Sequence, residues 1–398
     1  MSKIDFMSLK TIDFCDDVRD GTHDSPKHLD SGKLLITSKN IKGDSIDFEN
    51  ASYISEEDYN KINERSLVEI NDVLYSMIGT VGLVYRVDQQ PNYAIKNMGL
   101  FKIHDELKSK WLYYYLNSPK AKGKVLSMLS GSTQKFISLS NLRNLEIEFP
   151  QNIDDAKRII KICESIDKKI KLNNEINNNL EEQLRLFFEE KILKQLTDEN
   201  TYKCSLYDQF DVIDNRGKTP PLVEYSKYSI IDVKVLSGKA RVINYSNCLK
   251  YVDEDTYNTF FRSGHPKIYD TLLSTVGSLA ELKIYLENIG TIAQNVVALR
   301  PKNNFPLFMY QYVLSLRQKL TSYDIGSVQP SIKVTQFMKE MIRIPNDKEL
   351  IYKFEQLAKS NTLKMKNLMM ENRYLEQLRD TLLPKLMNGE IDLDNIEI

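Results

Sequence analysis

Cysteine is scarce in this sequence: Cys15, Cys163, Cys204 and Cys248 are four in 398 residues, scattered, with no C-x-x-C pair. That argues against a disulfide framework and against a thiolate metal site, and points to a reducing setting. The four histidines, His23, His28, His104 and His265, show neither metal spacing nor a triad pattern, so they offer no catalytic constellation. No apolar run reaches the ~18 residues of a membrane span, and the opening MSKIDFMSLK has no signal-peptide core. The expectation is a cytoplasmic protein. Charge of one sign is also missing: the net charge is −1, without the clear basic excess of a free-standing DNA binder.

Catalytic motifs are missing as well. No G-x-x-x-x-G-K-[ST] loop occurs, which argues against ATP hydrolysis. Base methylation on a flipped adenine needs a cofactor-binding glycine turn and an Asn/Asp-Pro-Pro-aromatic motif. The one Pro-Pro, Pro220-Pro221, is preceded by Thr219 and followed by Leu222, so it lacks both the amide and the ring. No cofactor and no metal are expected in this chain.

What is present is a repeat. Tyr53-Ile54-Ser55-Glu56-Glu57-Asp58-Tyr59-Asn60 returns as Tyr251-Val252-Asp253-Glu254-Asp255-Thr256-Tyr257-Asn258, 198 positions on (53 to 251). The same shift relates Asp72-Val73-Leu74-Tyr75-Ser76 to Asp270-Thr271-Leu272-Leu273-Ser274, Gly79 to Gly277 and Asn97 to Asn295. Gly131-Ser132-Thr133-Gln134 matches Gly326-Ser327-Val328-Gln329 at 195 (131 to 326), and Glu182-Gln183-Leu184-Arg185 matches Glu376-Gln377-Leu378-Arg379 at 194 (182 to 376). A drift this small is what loop-length changes produce, so the chain reads as a tandem duplication.

Each repeat joins a globe to a rod. Residues 34–37, 73–78, 82–87 and 145–149 are short β-branched or aromatic runs between Gly, Asn and Pro, and are expected strands. Residues 110–116, with Trp111 and three Tyr, and their counterpart 307–316 are expected helices packed on the sheets, as core rather than as stacking platforms. Asn97 and Asn295 are expected to be buried and hydrogen-bonded. Pro150 and Pro345 close the globes, since the residue before proline is pushed out of helix.

The rods are residues 154–196, free of Pro and Gly, and 348–387. In the first, Ile159, Ile166, Ile170, Asn173, Asn177, Leu180, Leu184 and Phe187 keep close to a heptad seam. In the second, the seam is Phe354, Leu357, Asn361, Met365, Leu368, Asn372, Leu375, Leu378 and Leu382. A buried seam asparagine fixes register at a cost in stability; alternatively these asparagines lie on a partly solvated face. Two rods of equal length leaving different globes would most simply pair antiparallel. The expected fold class is therefore α+β: two similar mixed α/β globes and an antiparallel coiled coil, with pseudo-twofold symmetry. The boundaries are 1–150, first globe; 151–197, central helical spacer; 198–345, second globe; and 346–398, C-terminal helical spacer and tail. Paired modules at a set distance suit a duplex with half-sites on opposite strands.

At this point the chain resembles the DNA specificity subunits of type I restriction–modification systems. The resemblance rests on Asp20-Gly21-Thr22-His23-Asp24-Ser25-Pro26, Arg216-Gly217-Lys218-Thr219-Pro220, Leu35-Ile36-Thr37-Ser38-Lys39-Asn40-Ile41, the Gly-Ser-x-Gln stretches, and above all the ending Leu378-Arg379-Asp380-Thr381-Leu382-Leu383-Pro384-Lys385-Leu386-Met387-Asn388-Gly389-Glu390-Ile391. Residues 211–221 depart from the Gly-Thr-His form of the first globe, as halves reading different sequences would. The resemblance implies a non-catalytic subunit with two target recognition domains reading a bipartite double-stranded DNA site. It implies helical spacers that set the gap and dock two methylase subunits, which bind S-adenosylmethionine, and a motor/nuclease restriction subunit that can join. The other readings are a coiled-coil adaptor holding two protein-binding domains and a self-contained methyltransferase.

Base reading needs Arg or Lys for guanine and Asn or Gln for adenine. The candidates in the first half are Thr22, His23, Lys27, Ser38, Lys39, Asn40, Ser132, Thr133, Gln134 and Lys135; in the second they are Arg216, Lys218, Thr219, Ser327 and Gln329. Lys234, Lys239 and Arg241 are candidate phosphate contacts.

Overall fold

A computed structural model describes residues 4–131, 134–324 and 330–391. The chain divides into two units, one of Met1–Lys169 with Tyr374–Ile398, the other of Ile170–Arg373.

In the first unit, a four-stranded antiparallel sheet runs in the order Asp17–Asp20, Met98–Lys102, Val73–Ser76, Val84–Arg86. Every residue of the two inner strands is buried. Covered on both faces, they read in the sequence as continuous apolar runs without alternation. Helix Glu106–Asn117 packs on this sheet, started by the Asp105 carboxylate, which accepts from Lys108 N at 2.9 Å. Its Trp111 is fully buried, its Nε1 donates to Glu148 O at 2.7 Å, and its ring meets Phe149 edge-on at 5.4 Å. Truncating such a ring costs about 3–5 kcal/mol. A smaller sheet sets Lys33–Ile36 between antiparallel Ser52–Ile54 and parallel Tyr93–Ile95, and Phe6–Lys10 pairs with Glu146–Pro150.

Among the described residues the second unit repeats these three sheets, without the short Ile41–Lys42/Ser45–Ile46 pair of the first. Its larger sheet runs Phe210–Ile213, Val296–Pro301, Thr271–Ser274, Leu282–Ile284. Tyr228–Ile231 lies between antiparallel Tyr251–Val252 and parallel Thr291–Ile292, and Thr201–Ser205 pairs with Met341–Pro345. The helix at Pro306–Ser315 is almost wholly buried.

The duplication extends to single polar contacts. Asp72 in the first unit holds buried Lys102 at 2.7 Å, and Asp270 in the second holds Arg300 at 2.8 Å, each partner 198 positions on. Ser76 accepts from Leu83 N, and Ser274 from Glu281 N, closing the same turn. Gly79 and Gly277 supply its positive φ. Beside it, Gly82 with φ 100° is replaced by Ala280 with φ 58°, a conformation that strains an alanine.

The central rod is an α-helix over Ile153–Phe187. Asp154 and Asp155 in its first turn suit the positive end of the helix dipole. It continues through a π-helical turn at Phe188–Ile192. Phe188, four residues after buried Leu184 and so on the same face, enters the second unit's core, 5.6 Å from Phe308 and 5.3 Å from Phe354 by ring centroid. The C-terminal rod is Lys348–Met387, begun by Asp347, whose Oδ1 accepts from Leu350 N, and ended by Gly389 at φ 66°.

Within each unit the helices pair antiparallel. In the second unit Asn173 meets Asn372, Gln183 meets Asn361 and Phe187 meets Phe354, rising numbers against falling ones. In the first, Asp167 meets Arg379 at 2.9 Å and also accepts from Tyr114 OH at 2.8 Å, tying the helix pair to the globe. Ile159, Ile166, Leu184, Phe354 and Met365 are buried, and Ile170, Leu180, Phe187, Leu357, Leu368, Leu375, Leu378 and Leu382 are half-buried. Asn173, Asn361 and Asn372 are buried, and Asn177 is half-buried. The solvated-face alternative therefore fails for three of the four.

Candidate nucleic-acid interface

In the first unit five segments converge at one end of the sheets. Thr22 N donates to Ile95 O at 3.0 Å and Asn97 N to Thr22 O at 3.1 Å, which lays the 20–27 loop along residues 95–97. Gly21 permits this approach, because a Cβ there would stand 2.4 Å from Ile95 O. Lys96 N donates to Ile36 O, bringing in the 38–40 turn, whose Ser38 Oγ donates to Ile78 O at 3.4 Å. Finally Ile137 N donates to Met77 O, and Gln134 Nε2 lies against the Gly79 turn.

His23 and Asn40 show how this surface is built. The exposed His23 ring sits between two acceptors, Asn97 Oδ1 at 2.8 Å from Nδ1 and Asp20 Oδ2 at 3.0 Å from Nε2. A ring that donates to both is the cation, so Asn97 first and Asp20 second hold the imidazole pKa above its ordinary value. Asp20 is anchored from its other oxygen by Arg65.

Asn40 is corrected. It is buried, its Oδ1 accepts from Thr37 N and Oγ1, and its Nδ2 donates to Asp47 O. The side chain closes a capping box, with its acceptor fully used and its amide buried in the turn, and so is not presented to a base. Asn97 and Asn295, expected to be buried, are half-buried, and Asn295 Oδ1 has no hydrogen-bond partner among the described residues.

Lys27, Lys39, Gln134 and Lys135 are exposed at this end; Thr22 and Ser38 are half-buried. Ser132 and Thr133 lie outside the described residues, as do Ser327 and Gln329.

The second unit gathers the matching segments. Ala293 N donates to Ile231 O, Thr275 N to Asn295 O, and Gly277 N to Pro330 O. The loop after Phe210–Ile213 is fastened by Gln294 Nε2, which donates to Thr219 Oγ1 at 3.1 Å. Exposed Arg216 grips Asp214 through Nε and Nη2 at 2.5–2.9 Å, and Lys218 and Thr219 are exposed.

Of the candidate phosphate contacts, Lys234 and Lys239 are exposed. Arg241 is not available. It is fully buried, bound to Glu181 and Gln311, with its guanidinium 5.2 Å over the Tyr310 ring.

Lys96 and Gln294 were missed in the sequence although each directly precedes an asparagine already marked by the repeat. The four cysteines are buried and unpaired, and burial pushes their thiols up. Among the described residues no cluster of His, Cys, Asp or Glu is arranged to hold a metal ion, and no helix is long and apolar enough to cross a membrane.

Residues 24–182 match the family model for the type I restriction modification DNA specificity domain. The S subunit of a type I restriction–modification system from M. genitalium is 17% identical, with 97% of each chain covered and a TM-score of 0.56, and so shares the fold. An HsdS subunit from Thermoanaerobacter tengcongensis, 13% identical over 97% of each chain, has a TM-score of 0.35, too distant to bear on the fold. The class is thus a DNA-recognition protein. The chain carries, over residues 24–182, the DNA specificity domain of type I restriction–modification systems.

Proposed function

We propose that this chain is the non-catalytic specificity subunit of a cytoplasmic type I restriction–modification complex. Residues 1–150 read one half-site and residues 198–345 the other, while the helical spacers, 151–197 and 346–398, set the gap and dock two methylase subunits. Those subunits supply S-adenosylmethionine, and a motor/nuclease subunit completes the restriction form. The observation that supports this reading is the duplication itself. Strand order, turn chemistry and buried charge pairs repeat between the units, while the loops at the converging end differ: Asp20, Thr22 and His23 in one, Asp214, Arg216 and Thr219 in the other. A shared scaffold with divergent exposed side chains is what two readers of unlike sequences require.

The test is to co-express the chain with its methylase subunit and map methylated adenines by single-molecule sequencing. A split motif is the expected result. Exchanging residues 1–150 for another family member's first globe should change one half only. Removing one heptad from each spacer should change the gap and leave both halves intact. Methylation at no split motif overturns the reading.

A further inference from the structure

We propose that Lys96 and Gln294 are specificity-determining residues at one repeated position, Lys96 reading a guanine in one half-site and Gln294 an adenine in the other. This rests on the proposed reading of one half-site per unit.

The two positions are matched by topology. Each lies two residues before the inner strand of the larger sheet, Met98–Lys102 or Val296–Pro301, and just after the parallel strand of the smaller one. Both residues are half-buried, and the contacts of their head groups are exposed. Both heads make the same contact: Lys96 Nζ donates to Ser25 Oγ at 2.6 Å, and Gln294 Nε2 to Thr219 Oγ1 at 3.1 Å. Ser25 and Thr219 stand in corresponding loops, after Asp17–Asp20 and Phe210–Ile213. Strand register aligns them: Arg19 pairs with Leu100 and Ile213 with the matching Ala298, and Ser25 and Thr219 each follow six positions later.

A hydroxyl tether combined with spare hydrogen-bonding capacity separates this pair from its neighbours. His23 has both ring nitrogens engaged, Asn40 is buried in its turn, and Arg216 is drawn onto the Asp214 carboxylate through Nε and Nη2. An ammonium carries three donors, and Lys96 uses one on Ser25, with no carboxylate partner among the described residues. Gln294 uses one amide hydrogen and keeps the other, together with its Oε1 acceptor. A hydroxyl tether on a head with spare capacity fixes direction while leaving groups to read with. Lysine has no acceptor, so it fits guanine, which offers O6 and N7. Glutamine has a donor and an acceptor, which fit adenine N7 and N6. One scaffold position thus carries opposite base preferences in the two halves.

The test uses the full chain with its methylase subunit on duplexes carrying the mapped split site, each base pair replaced singly. Lys96→Met should abolish discrimination at one G·C pair of one half-site, about tenfold to a hundredfold, and leave the other half-site unaltered. Gln294→Leu should do the same at one A·T pair of the other half. Lys96→Gln, which places here the residue that the second unit carries at the matching position, should shift preference at the first position from guanine to adenine. Uniform weakening across all duplexes with a shallower salt dependence would make these phosphate contacts and overturn the assignment. So would full selectivity in the folded variants. A wild-type chain without preference for any base pair would bring down the proposed function as well, whereas a selective wild type with unchanged variants removes this assignment alone.

Discussion

Arg241 and Glu181, 60 positions apart, form a bidentate ion pair in the second unit. Nε lies 2.8 Å and Nη2 2.5 Å from Oε2, and Arg241 N donates to Oε1 at 2.9 Å. With Gln311 taking another guanidinium hydrogen, the arginine braces its loop against the central helix. Glu181→Ala would leave a fully buried cation without its counter-charge, and a loss of about 3–5 kcal/mol is expected. Urea unfolding should show it as a lowered midpoint; a midpoint within 1 kcal/mol of wild type would refute the brace.

The seam asparagines yield a second expectation. Asn173 Nδ2 donates to Asn372 Oδ1 at 2.8 Å, and Asn372 Nδ2 donates to Asn174 Oδ1 at 2.8 Å. Asn372→Leu leaves buried Asn173 with only Glu371 as acceptor and removes the Asn174 contact, and should cost about 1 kcal/mol. The double change Asn173→Leu with Asn372→Leu should recover most of that stability while loosening register. Thermal melts of the four chains, read as a double-mutant cycle, measure the coupling; strictly additive losses would contradict it.

His23 gives a pH dependence. Its folded pKa is raised above the ordinary value of about 6.5. The favourable contribution is therefore fully present below about 6.5 and is lost as pH rises through the raised folded value. An imidazolium at this loop also favours phosphate, so DNA affinity should fall as pH rises above about 6.5, and His23→Gln should flatten that fall. NMR titration of the ring checks the midpoint directly. A midpoint at or below the ordinary histidine value would dispose of the argument.

Gly21 makes a steric prediction. A methyl group on it would stand 2.4 Å from the backbone oxygen of Ile95, which cannot move without disturbing the parallel strand pair. Gly21→Ala should destabilise the first unit by about 1–3 kcal/mol. It should also impair reading of one half-site, seen as relaxed methylation at that half alone. Equal loss at both halves would count against the modular scheme.

How much of this was legible in the sequence depended on how local the cause was. Gly79 and Gly277, and Asp72 and Asp270, announced the repeat because turns and buried charge pairs demand particular residue types at fixed spacing. The seams were legible from periodicity alone. The parallel strands Tyr93–Ile95 and Thr291–Ile292 were not, being too short to show alternation. Arg241 looked like a phosphate contact because nothing near it in sequence names Glu181 as its partner. Asn40 looked like a base reader, since the sequence does not reveal that a Thr-x-x-Asn turn buries its side chain and takes up its acceptor. At the interface, the repeat pointed to Asn97, and the side chain with free donors was its neighbour.

The second unit, Ile170–Arg373, is one uninterrupted stretch, whereas the first needs Tyr374 onward to supply Leu383, Leu386 and Met387 to its core. During synthesis the second unit therefore has all of its parts before the first one does. Until the final helical turns leave the ribosome, the first globe waits with an apolar flank uncovered, which protease sensitivity of stalled nascent chains would reveal. In the order of translation, residues 1–169 are completed only by residues made after the whole of the second unit.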